Sequence, residues 1–283
     1  MEKVDFKAKE FKSWTAVVLG WKKHDESLRN NAQAVTARML DLAQIKVGAT
    51  VLDIACGTGE PAIPAAGRVG PSGKVIATDW VADMVAFARS KADSQGLTNI
   101  EFRVIDGEAI DIAPGSVDAV TIRWGLMFMP NPDDCISRAY QALKPGGRIV
   151  IANWAGPDKT PWASVALGAI KKHVDIPAPP RGATGLYSFA EPARNQALLV
   201  NAGFQSVTIE ELNVPVIDVD NGTDYFTWVK EMAGPIASLY AALAPEIQMK
   251  VDRDAAADAQ VKSEVRDRVR LSGVTWITAG VRP

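Results

Sequence analysis

Cysteine is scarce in this chain. Cys56 and Cys135 are the two present among 283 residues. Neither belongs to a CxxC pair or a Cys/His metal spacing, so no disulfide framework or metal site is expected, and a reducing compartment fits. Histidine is as rare, with His24 and His173 alone. An excess of positive charge is also lacking. Lys and Arg number 31 against 33 Asp and Glu, a formal net charge of -2. That balance offers phosphates no broad attractive field and argues against nucleic acid as partner. No run approaches the roughly 18 unbroken apolar residues of a membrane span. The first residues, MEKVDFKAKEFKSW, carry no apolar stretch after their basic side chains and so do not read as a secretory signal. A cytoplasmic location, with no membrane contact, is the expectation. No internal repeat or low-complexity tract interrupts the chain.

What is present is ordinary globular composition, 47% hydrophobic and 23% charged. The length suits one large domain with insertions. Residues 1–46 read as a helical lid segment, with Val35, Met39, Leu42 and Ile45 near helical spacing. From Val47 to Trp154 strands alternate with helices. Strands are expected at Thr50–Ala55, Lys74–Thr78, Ile100–Ile105, Val117–Ile122 and Arg148–Ala152. Helices are expected at Ala62–Val69, Met84–Ser94 and Asp133–Leu143, the last stopped by Lys144-Pro145-Gly146-Gly147. Such alternation implies parallel pairing, because each crossover needs a covering helix. Ligands of such sheets bind at the carboxyl ends of the strands, where strand order reverses.

Beyond Trp154 the composition shifts. Residues 155–188 are rich in proline (Pro157, Pro161, Pro177, Pro179, Pro180) around a helix at Trp162–His173. Glu191–Asn201 reads as another helix. Ser206–Val214 and Val274–Val281 read as two further strands, and 220–270 between them as helical and charged. The fold class is thus α/β: a Rossmann-like, doubly wound, mostly parallel seven-stranded sheet. Residues 47–283 form it, with insertions at 155–188 and 220–270 as a substrate cap.

The sharpest segment is Val51-Leu52-Asp53-Ile54-Ala55-Cys56-Gly57-Thr58-Gly59-Glu60, a strand running into a glycine loop and then a helix. Glycine there permits positive φ and close approach of backbone to ligand. Gly57 to Ala62 also satisfies G-x-G-x-x-G/A, the dinucleotide pattern. Asp53 and Glu60 argue against a nicotinamide cofactor, since both carboxylates would repel a pyrophosphate yet suit a sulfonium or ammonium. Asp79, ending the next strand, is placed to accept bonds from ribose hydroxyls.

VLDIACGTG, VIATDW, VIDGEAI and LKPGGRIVIANW, in this order and spacing, resemble the class I S-adenosylmethionine-dependent methyltransferases, and among them the type 11 and quinone-biosynthesis C-methyltransferases. The likeness covers roughly residues 30–155. It implies S-adenosyl-L-methionine as cofactor. By resemblance, Asp53, Gly57 and Gly59 would hold its methionine half and Asp79 its ribose. Trp80 or Val81 would pack on the adenine. Asp106 would accept from the adenine amino group, with Gly107 and Glu108 lending backbone contacts. Arg123 would lie near the methionine end.

The expected reaction is methyl transfer to a small molecule, at oxygen or carbon, by in-line displacement. His24 is the candidate general base, with His173 behind it, and Trp124 or Trp21 the candidate sulfonium contact. Trp14, Trp162 and Trp228 either line an acceptor pocket or pack the cap. Two other readings stand beside this one: an NAD(P)-dependent oxidoreductase and a non-catalytic S-adenosylmethionine-binding protein. Arg123-Trp124-Gly125-Leu126 stands where many nitrogen methylators carry an Asn-Pro-Pro-Tyr-like tetrapeptide, which favours other acceptors. The assembly is left open, a homodimer included.

Overall fold

A computed structural model describes residues 3–177 and 183–283; Pro179 and Pro180 lie outside them. Helices α1 (Lys3–Ala16) and α2 (Val18–Leu42) precede β1 (Thr50–Ile54). Then follow α3 (Ala62–Val69), β2 (Lys74–Asp79), α4 (Ala82–Ser94), β3 (Ile100–Val104), β4 (Val117–Arg123), α5 (Pro132–Ala142) and β5 (Leu143–Trp154). The remainder is α6 (Pro161–Lys171), α7 (Pro192–Asn201), β6 (Gln205–Val219), α8 (Gly222–Met232), α9 (Gly234–Ala241), α10 (Pro245–Lys262) and β7 (Val269–Val281). Two short 3₁₀ turns, Gly107–Ala109 and Leu126–Phe128, follow β3 and β4.

The seven strands lie in the order β3-β2-β1-β4-β5-β7-β6. The first five pair in parallel, and β7 runs antiparallel to β5. Order reverses between β1 and β4. The loops leaving their carboxyl ends therefore diverge, and a ligand crevice opens between them. Sequence dictates this core: Val51, Leu52, Ile54, Val75, Ala77, Val120, Ile122, Ile149 and Ile151 are buried in near-continuous apolar runs. Such runs suit strands covered by helices on both faces. α5 begins with Pro132 in its first turn, followed by Asp133 and Asp134 at the positive end of the helix dipole.

By contact density the chain forms two units. One holds the chain up to Ala32, Ala155–Ala183 and Asn213–Val274. The other holds Gln33–Trp154, Thr184–Leu212 and the chain from Thr275 onward. The segment expected to be helical over 1–46 holds α1 and α2, and the division between the two units falls inside α2. The physical reason lies in the second half of α2. There Thr36 bonds Glu60 and Arg123, both in the sheet unit. Within the helical unit α8 and α10 pack closely: a Cβ at Gly222 would come within 2.0 Å of the Ala256 carbonyl oxygen. No described helix is long and apolar enough to cross a membrane.

Candidate active site

At the end of β1 the backbone turns sharply into α3. The Gly59 and Glu60 N–H groups donate to the Cys56 carbonyl, and the Ile63 N–H donates to Gly59. Gly57 has φ of 51° and Gly59 of 102°, which side chains rarely adopt. A Cβ on Gly59 would meet Ile63 Cδ1 at 2.7 Å, whereas one on Gly57 would meet nothing within 4 Å. Gly59 thus serves the tight turn, and Gly57 leaves open space beside the loop.

Asp79 clamps that loop. Its Oδ2 accepts the Gly57 N–H at 2.9 Å and its Oδ1 accepts the Val81 N–H at 2.9 Å. Burial raises its pKa, and the backbone N–H groups of Val81, Gly57 and Trp80 oppose the rise. Each carboxylate oxygen has a second lone pair, so the clamp leaves acceptor capacity for ribose hydroxyls. Trp80 follows directly and is half-buried.

Asp53 is fully buried at the centre of the sheet. Its Oδ1 accepts from Thr121 Oγ1 at 2.7 Å, across the β1–β4 pairing in which the two residues are register partners. Oδ2 is buried and makes no hydrogen bond of its own among the described residues. Burial pushes the Asp53 pKa up to about 7; the Thr121 bond, the Arg123 charge and the Ala62 N–H pull the other way. Glu60 is also buried, with Oε2 accepting from Thr36 Oγ1 at 3.3 Å and Oε1 making no hydrogen bond among the described residues. Arg123, at the end of β4, donates through Nη1 to Thr36 Oγ1 at 2.9 Å.

Trp124 adopts φ of 58°. Its ring stacks on Trp154 at 4.3 Å, lies near the Arg123 guanidinium at 4.9 Å, and its Nε1 donates to Thr275 Oγ1. Asp106 caps the 3₁₀ turn after β3 by accepting the Glu108 N–H at 3.0 Å. The Glu108 carboxylate accepts the Asn131 N–H at 2.5 Å, so its side chain fastens the β4–α5 connection. Gly107 packs so closely that a Cβ would meet Met129 Cε at 2.5 Å. Burial, with Asp79 and Asp53 nearby, raises the Cys56 thiol well above its ordinary range, in keeping with a packing role.

The structure therefore brings Asp53, Gly57, Gly59, Asp79, Asp106, Gly107, Glu108, Arg123 and Trp124 together in the sheet unit. His24 lies in the helical unit, where its Nε2 is 2.6 Å from Glu231 Oε2, a carboxylate that also takes Lys23 at 2.8 Å. It borders a cleft of about 330 Å³ lined also by Asp218, Asp224, Trp228 and Arg268. His173 pairs with Asp254, and Trp21 donates its indole N–H to the Met232 carbonyl. Trp162 and Trp228 meet edge to face, as do Trp14 and Trp21. Thr36 and Thr121 were not singled out from the sequence. The signal for Thr121 was a polar residue level with Asp53 on the adjoining strand.

An open glycine loop, a clamped acid after β2 and two buried carboxylate oxygens without a hydrogen bond among the described residues fit an adenosine ligand with a cationic arm. They suit a pyrophosphate poorly. The fold is a Rossmann-like, mostly parallel α/β sheet with the site at its strand-order switch. Residues 45–174 match the family model described as a methyltransferase domain. The demethylmenaquinone methyltransferase of Lactococcus lactis is 38% identical over 120 residues, 42% of this chain and 46% of that enzyme. The ubiquinone/menaquinone biosynthesis C-methyltransferase UbiE of Pseudomonas putida is 28% identical over 193 residues, 65% of this chain and 75% of the other. The crystal structure of YcgJ from Bacillus subtilis superposes with a TM-score of 0.58 at 17% identity, covering 88% of this chain and 98% of that one, and shows the shared fold. Residues 45–174 are thus similar to a methyltransferase domain, and the chain spans about half the length of the Lactococcus relative. Neither the nicotinamide reading nor the non-catalytic one gains support.

Proposed function

We propose that the protein transfers a methyl group from S-adenosylmethionine to a ring carbon or hydroxyl oxygen of a small, apolar acceptor of the quinol type. The observation that carries this is the pair of buried oxygens without a hydrogen bond among the described residues, Asp53 Oδ2 and Glu60 Oε1, beside an open glycine loop at the strand-order switch. The quinone-biosynthesis names of the two relatives support the acceptor class.

The bound cofactor supplies a methyl carbon already activated by its sulfonium. Protein groups then need only bind, align and keep water out. Alignment of this kind is worth roughly 7–11 kcal/mol in favourable cases. Asp53, Gly57 and Gly59 hold the methionine end, and Asp79 the ribose. Trp80, Asp106 and Gly107 hold the adenine. The Glu108 N–H is engaged by Asp106, so its part is to build the turn. Arg123 and Trp124 border the methionine end, the aromatic face contributing about 0.5–2 kcal/mol to a nearby cation. The helical insertions carry the acceptor-binding surface. His24, its ring oriented by Glu231, is the candidate base for a hydroxyl acceptor. The protein works in the cytoplasm on small molecules rather than nucleic acid, and a homodimer is compatible with this reading.

The test is incubation with methyl-labelled S-adenosylmethionine and a panel of hydroquinones and phenols. Label in an extractable aromatic product is expected. Cofactor binding with no label transferred to any small acceptor would overturn the reading.

A further inference from the structure

Thr36 lies on α2, outside every glycine-loop motif, yet its hydroxyl stands between two opposite charges. Arg123 Nη1 donates to it at 2.9 Å, and it donates to Glu60 Oε2 at 3.3 Å. The surroundings are dry: Thr36 is 4% exposed, Glu60 5% and Asp53 0%. In such a place a guanidinium and a carboxylate attract strongly and favour a direct, two-pronged pair. The interposed hydroxyl uses one hydrogen and one lone pair to satisfy both without letting them close. Glu60 Oε1 is thereby left buried without a hydrogen bond among the described residues, as is Asp53 Oδ2. When both acids are ionised, two carboxylates and one guanidinium leave one negative charge in excess. A buried excess of that kind calls for a proton or a cation.

We propose that Thr36 is a positioning residue that holds Glu60 open to receive the ammonium group on the amino-acid arm of S-adenosylmethionine. This rests on the methyltransferase reading above. It adds a cofactor contact at the end of the glycine loop, just before α3, and a partner on α2 that sets it.

The test compares two ligands by calorimetry: S-adenosylhomocysteine, which has the arm, and 5′-methylthioadenosine, which lacks it. Four proteins are titrated: wild type, Thr36→Val, Thr36→Ser and Glu60→Gln. Thr36→Val and Glu60→Gln should bind S-adenosylhomocysteine about ten-fold more weakly or worse, the range for a lost hydrogen bond to a charged group. Thr36→Ser should match wild type, and methylthioadenosine should bind all four alike. Equal loss of both ligands in Thr36→Val would show that the hydroxyl only maintains the shape of the site, and would overturn the proposal. Unchanged S-adenosylhomocysteine affinity in Glu60→Gln would overturn it as well. If Thr36→Val fails to fold, Thr36→Ala carries the same comparison, because it too removes the hydroxyl that bonds Glu60 and Arg123. A folded wild type that binds no S-adenosylhomocysteine would instead sink the methyltransferase reading, before any variant is made.

Discussion

Asp53 shows how one side chain couples site and stability. Its folded pKa is raised to about 7, while an unfolded Asp titrates near ~3.9. Between those values the folded state holds a proton that the unfolded state has lost. Stability from this group is therefore fully present below about pH 4 and declines as pH rises through about 7. Asp53→Asn should remove that slope. Melting temperatures of the ligand-free wild type and variant, measured from pH 5 to pH 8, should converge or cross rather than run parallel. Parallel curves would mean that Asp53 is ionised in the folded protein throughout. Asp79 makes a different case, because it binds two backbone N–H groups of the structure itself. Asp79→Ala should lower the melting temperature as well as cofactor affinity, the latter by roughly ten- to hundred-fold. A pure ribose contact would leave stability untouched.

At the scale of elements, the chain's alternation of apolar runs and helical periods made all seven strands legible in their order. The ends were less so. β5 begins at Leu143 rather than Arg148, because Leu143 already pairs with Val117 and the turn-forming Lys144 to Gly147 lie in an irregularity before pairing resumes at Arg148. β6 reaches Val219 and β7 starts at Val269, longer than expected. Much of β6 is exposed, so its apolar alternation is diluted. The break between α1 and α2 has neither proline nor glycine to mark it. For the site, the glycine loop and its acids were readable, since they are chemically unusual for their positions. Thr36 was not, because a helical threonine acquires meaning only from what folds against it. Gly125 offers an element-scale test. A Cβ there would stand 2.4 Å from Ala55 Cβ, and Ala55 is itself held at φ of 58°. Gly125→Ala should cost ~1–3 kcal/mol, read as a lowered denaturant midpoint, by forcing the β1 and β4 loops apart. An unchanged midpoint would show that these loops yield freely.

For the whole molecule, cofactor binding and folding are linked. A ligand at a hundred times its Kd stabilises the native state by ~2.7 kcal/mol. For a chain of this size S-adenosylhomocysteine should raise the melting temperature by several degrees, and NADH at the same concentration should not. The most direct measurement is calorimetric titration of S-adenosylhomocysteine into the wild-type protein. Micromolar affinity, about -8 kcal/mol, with one site per chain is the predicted result. A correctly folded protein that gives no binding heat and no thermal shift with this ligand would contradict the assignment of the cofactor, and with it the proposed reaction.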